Sequence, residues 1–110
     1  MDSLKKREDE FERKFSHDQE LKFKIHARCA KLFGKWAADT LGAEAVDIEK
    51  YPSEMIALSM QKQGMSAIKN KVSNDFHAHN INVSEHMIEK TLAEKLEQAE
   101  KEITERENGT

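Results

Sequence analysis

The chain is poor in residues that break or crosslink a fold: one proline, four glycines and one cysteine in 110 residues. A lone cysteine cannot close an intramolecular disulfide. Free cysteine behaves as a small hydrophobe and is among the most buried residue types, so Cys29 is expected in a core rather than as a reactive thiol. No stretch approaches the ~20 apolar residues of a membrane span, and no apolar run near the start resembles a secretion signal. These absences lead to the expectation of a soluble, intracellular protein. No alternation of apolar and polar residues marks a strand. Nor does one sign of charge dominate: the net charge is −3 and the pI about 6.0, which argues against a general polyanion-binding footprint.

The chemistry of common catalytic sites is missing as well. There is no glycine-rich phosphate loop, no Gly-x-Ser-x-Gly and no paired carboxylates in an apolar setting. The five histidines, His17, His26, His77, His79 and His86, raise the question of a metal, especially with Asp75 and His79 four residues apart. But His77 and His79 diverge on a helix, Cys29 has no second thiolate, and the Glu-x-x-His element of di-iron bundles does not occur. They are read as surface histidines. No enzyme activity, cofactor or metal is expected.

What the chain has is charge and helical periodicity. Charged residues make up 35% and hydrophobic ones 37%, against usual values of about 25% and 45–50%, so the few apolar residues must be carefully placed. They are enough for one core. From Phe11 to Gly42 the sequence reads as one long amphipathic helix. At about 100° per residue, Leu21, Ile25, Cys29, Leu32 and Trp36 share a face with Phe33 at its edge, and Trp36 is expected to anchor the core. Lys24, Arg28, Lys31 and Lys35 form a basic stripe on another sector, which a solvated helix face explains. Gly34 should admit a close neighbour and Gly42 should end the helix.

Ahead of this helix, residues 1–15 carry five basic and five acidic side chains. Leu4, Phe11 and Phe15 fall in line with Cys29 and Phe33, so the segment can extend the helix. The strip is too narrow to offset an ordering cost of about 1–2 kcal/mol per residue, and the segment alone is expected to be mobile or partly helical. Hydrophobes at helical spacing in a charged tail also suit binding in a partner's groove, and a frayed tail stands as the equal alternative. Ser16 with Gln19 resembles a capping box where regular helix could begin.

Pro52 interrupts the next helical stretch, which starts near Tyr51 or is kinked after a start at Asp47; Gly64 is expected to end it. Ser66 is expected to cap a third helix burying Met65, Ile68, Val72 and Phe76, with Asn80 as its left-handed end. Ser84 opens a fourth, stapled by Val83 and Ile88 and continued by Leu92, Leu96, Ala99 and Ile103; its exposed face is acidic and residues 108–110 should fray. About four helices with short connections give an all-α, four-helix bundle over residues 16–107.

Arg7-Glu8, Phe11-Glu12, Lys14-Phe15, His17-Asp18, Glu20-Leu21, Phe23-Lys24, Ala27-Arg28, Lys31-Leu32, Gly34, Trp36-Ala37-Ala38 and Leu41-Gly42 together resemble the zeta subunit family, small inhibitor proteins of the alphaproteobacterial F-type ATP synthase. Tyr51, Lys71-Val72, Asp75, Val83-Ser84 and His86 follow that family more loosely. The chain departs from it at Lys5-Lys6, where acidic residues commonly precede the arginine, and at Pro52. The resemblance implies a four-helix bundle whose mobile N-terminal segment enters a catalytic alpha/beta interface of the ATPase head and blocks ATP hydrolysis. It also implies that Leu4, Arg7, Phe11 and Phe15 are the partner-binding residues, and that the partners are the synthase's alpha, beta and gamma subunits. The protein would then be monomeric when free and cytoplasmic, held at the membrane-bound synthase without inserting into the membrane. The other classes are a synthase-associated structural protein that does not inhibit, and a helical adaptor or nucleic-acid-binding module using the basic stripe, for which DNA retention would fall steeply with salt.

Overall fold

Helix punctuation sets the architecture. The computed structural model describes the backbone from Asp2 to Asn108 and the side chains from Asp18 to Arg106. It contains α1 (Asp2–Leu41), α2 (Lys50–Ser59), α3 (Gly64–Ala78) and α4 (Glu85–Asn108), with no strand among the described residues. The all-α, four-helix reading holds. The backbone of α1 runs unbroken from Asp2, so the charged segment extends the helix as its period allows, and no helix start falls at Ser16. The side chains of residues 1–17 and the last two residues, 109–110, with the fraying expected there, lie outside the described residues.

Gly42 ends α1 as anticipated. Its φ of 93° lies in the left-handed region, and its N–H donates to the Ala38 carbonyl at 2.8 Å. Asp47 then starts the turn into α2, its Oδ1 accepting the amides of Glu49 and Lys50 at 3.0 and 3.1 Å. The Tyr51 N–H donates to the Asp47 carbonyl at 2.9 Å. Pro52 therefore sits in a first turn, where its missing N–H breaks little, and no kink is needed.

Two expected boundaries move. Gly64 does not end α2, which stops at Ser59; it opens α3, two residues before the expected cap at Ser66. The reason is close approach: a Cβ on Gly64 would stand 2.0 Å from the Ser59 carbonyl oxygen. The glycine lets α3 begin directly against the end of α2. At the other end of α3, Asn80 takes a φ of 56°, as expected of a left-handed stop. Ser84 caps α4, its Oγ accepting the Met87 N–H at 3.1 Å.

The core is formed by Ala30, Phe33, Ala37, Ala38 and Leu41 of α1, Tyr51 and Met55 of α2, Ile68, Val72 and Phe76 of α3, and Ile88 of α4. This corrects the expected arc on α1. Leu21, Ile25, Leu32 and Trp36 are only half-buried, whereas the sector about one residue position further round, through Ala30, Phe33 and Ala37, is sealed. Small residues explain the shift. With Ala30, Gly34, Ala37 and Ala38 in that sector, α2 comes to backbone contact, and its flank is closed although it looks weakly hydrophobic in sequence. Trp36 packs at the core's margin, its ring 5.7 Å from Phe33 and 5.4 Å from Phe76.

α4 runs antiparallel to α1. The Cys29 Sγ lies 4.0 Å from the Leu92 carbonyl, while further toward the α1 N-terminus Phe23 shares a groove with Ile103 and Arg106. Cys29 is fully buried, and burial, with Glu100 adding to it, pushes its thiol up to about 11. It is the inert core cysteine expected. α3 is held to its neighbours by polar contacts: the Tyr51 hydroxyl donates to Asp75 Oδ2 at 2.7 Å, Lys69 pairs with Glu89 at 2.9 Å, and Ser73 bonds to Glu85. Burial first, and then the Asp75 hydrogen bond, hold the Tyr51 phenol far above its ordinary range.

Candidate partner-binding site

The end of the bundle from which α1 leads back toward its N-terminus is built by three elements. One wall is α1 from Asp18 to His26. The second is the α2–α3 turn, Ser59 to Lys62, and the two enclose a groove of about 820 Å³. The third is the last part of α4, whose Ile103 and Arg106 line an adjoining groove with Phe23, Lys24, Ala27, Arg28, Lys31 and Ile56.

The turn owes its shape to local hydrogen bonds. The Ser59 Oγ donates to the Ile56 carbonyl at 2.6 Å, the amides of Met60 and Gln61 reach back to Ala57 and Leu58, and the Gly64 N–H closes on Gln61 at 3.0 Å. So tight a reversal turns Met60 outward. It is 55% exposed, and across the groove Phe23 is 52% exposed. These are the two most exposed large hydrophobes among the described residues. Phe23 lines both grooves.

Cations surround this apolar pair. Lys22 and Lys62 line the first groove, and Lys24, Arg28, Lys31 and Arg106 the second. Acids temper them: Asp18 in the first groove, Glu100 near His26, and Glu102, whose carboxylate stands 3.9 Å from Arg28. His26, half-buried in the first groove, has its imidazole held below the ordinary range by burial, with Lys22 acting in the same sense and Glu100 opposing.

The residues expected to bind the partner, Leu4, Arg7, Phe11 and Phe15, have side chains outside the described range. Sequence reasoning missed Phe23 and Met60. Phe23 stands off the expected apolar arc between two lysines, and Met60, which its spacing with Ile56 places on a second, neighbour-touching side of the helix, is instead exposed. An off-face aromatic flanked by lysines was the available signal. The basic stripe is only partly a solvated face: Lys24 and Lys35 are exposed, while Arg28 and Lys31 are half-buried along grooves. Among the described residues no cluster of three or more His, Cys, Asp or Glu side chains is placed to hold a metal ion.

The family model for the ATPase inhibitor subunit zeta matches residues 1–102. The chain belongs to this family. The match covers the charged N-terminal segment together with nearly all of the bundle, so the two go together in one family pattern. Neither a curated protein nor a solved structure gives a match. Membership identifies an ATPase inhibitor subunit, a regulatory rather than catalytic protein, and ties it to the ATP synthase. Among the described residues no helix is long and apolar enough to cross a membrane.

Proposed function

We propose that this zeta-family protein inhibits ATP hydrolysis by the F-type synthase with residues 1–15, which fold as a helix in a catalytic alpha/beta interface and block rotation. Residues 16–107 act as the docking bundle. The observation that carries the reading is the register of α1. Cys29 and Phe33, both fully buried in the bundle, lie on one helical meridian, and by helical period the same meridian runs back through Phe15, Phe11 and Leu4.

α4 ends at Asn108, two residues beyond the Arg106 that lies beside Phe23, and the α2–α3 turn reaches the level of Asp18 to His26. Apolar residues at helical spacing in an otherwise charged segment are suited to burial by a partner. Arg7, on the charged side of that strip, supplies a donor fork for a carboxylate of the interface. Folding on contact costs binding energy, but it lets a short segment fill a narrow cleft between subunits.

Hydrogen exchange tests this division. The amides of residues 1–15 exchange rapidly in the free protein and become protected on the synthase, whereas those of Ala30 to Leu41 are slow in both states. Equal protection of residues 1–15 in the two states would contradict a segment that folds on binding.

A further inference from the structure

We propose that the groove between α1 and the α2–α3 turn is a second docking site, taking an acidic, apolar-tipped protein segment of the synthase head. This rests on the inhibitory reading above and names a contact of the bundle itself.

Three observations carry it. First, Phe23 and Met60 both line the groove with about half of each side chain exposed, while the other large hydrophobes among the described residues are mostly withdrawn. Second, cations predominate around the groove. Lys22 and Lys62 rim the groove and Lys24, Arg28, Lys31 and Arg106 continue beyond Phe23, against the acids Asp18, Glu102 and, near His26, Glu100, although the chain as a whole carries −3. A basic rim on an acidic protein selects an acidic partner and speeds its approach.

Third, the groove is continuous with the proposed inhibitory strip. Lys22 and His26 stand at i−11 and i−7 from Phe33, within about 20° of its direction. They occupy the meridian on which Phe15, Phe11 and Leu4 also fall. A partner surface following that meridian from the N-terminal strip toward the bundle meets this groove next. An anionic membrane would also be drawn to lysines and exposed hydrophobes. Here, however, the hydrophobes line a concavity, which a protruding segment fills and a lipid surface does not.

The test uses full-length protein: wild type, Phe23→Ala/Met60→Ala, Lys22→Glu/Lys62→Glu and Phe11→Ala/Phe15→Ala. Each is checked by circular dichroism, then measured for affinity to the immobilised cognate synthase at low and high salt and for inhibition of ATP hydrolysis. Mutating Phe23 and Met60 weakens binding about tenfold or more. Reversing Lys22 and Lys62 weakens it mainly at low salt, through slower association. Unchanged affinity in both groove variants, with wild type inhibiting, overturns the groove and leaves the inhibitory reading standing. Groove variants that lose affinity while Phe11→Ala/Phe15→Ala inhibits like wild type support the groove and defeat the N-terminal reading. Sedimentation of wild type alone and with phosphatidylserine vesicles covers the other occupants. Self-association or vesicle binding that the groove variants abolish, with synthase affinity untouched, overturns the proposal in favour of a second copy or a membrane.

Discussion

A Cβ built on Gly34 would stand 2.9 Å from the Cα of Pro52, so α1 and α2 meet backbone to backbone at these two residues. Met55 closes the same contact, its Cγ at 3.0 Å. Both residues look unfavourable in helices when read singly. Together they define where α2 sits, and hence where the α2–α3 turn and Met60 face α1.

Gly34→Ala therefore tests the packing. Alanine gains about 1 kcal/mol in helix propensity, but overpacking against backbone costs about 1–3 kcal/mol. The substitution is expected to be net destabilising by about 1 kcal/mol in urea denaturation. An alanine variant as stable as wild type, or more so, would contradict the close approach.

Phe33 and Trp36 should separate in energy. Phe33 is fully buried, and its replacement by alanine should cost about 3–5 kcal/mol. Trp36 is half-buried between Phe33 and Phe76, so Trp36→Ala should cost less, about 2–3 kcal/mol. Chemical denaturation followed by circular dichroism measures both. A larger loss for Trp36 would restore it as the central anchor.

His26 should make the bundle sensitive to mild acid. Its folded pKa is depressed, by burial first and Lys22 second against the opposing Glu100, so the unfolded chain binds the proton more readily. The contribution to stability is complete above the ordinary imidazole value of about 6.5 and is lost as pH falls through the folded value. Thermal melts between pH 7.5 and 5.5 should show wild type losing stability relative to His26→Gln. Parallel curves for the two proteins would exclude the effect.

The fold was legible wherever side-chain chemistry is local. The left-handed stops at Gly42 and Asn80, the Ser84 cap, and the α3 stripe through Ile68, Val72 and Phe76 follow from residue type and spacing alone. Sequence pattern failed where small residues act through what they lack. Ala30, Ala37 and Ala38 carry little hydrophobicity, so the face they bury was placed one residue position away, at Leu21, Ile25, Leu32 and Trp36. Gly64 looked like a helix end because its use, letting α3 start against the Ser59 carbonyl, depends on a neighbour that periodicity does not show. The site was less legible than the fold. Phe23 and Met60 become a pair only when α1 and the α2–α3 turn are brought together, and the strip of Leu4, Phe11 and Phe15 acquires its meaning from a partner.

The central claim is that residues 1–15 carry inhibition, and ATP hydrolysis by the cognate synthase measures it directly. The enzyme is titrated with wild type, a deletion of residues 1–15, and Phe11→Ala/Phe15→Ala, after circular dichroism has shown each bundle to be folded. Wild type should suppress hydrolysis, the deletion should not, and the double variant should need about 30-fold more protein or beyond, the equivalent of losing a buried anchor of about 2 kcal/mol. Equal inhibition by all three would contradict the account, and a folded wild type that binds without inhibiting would make the protein a structural companion of the synthase.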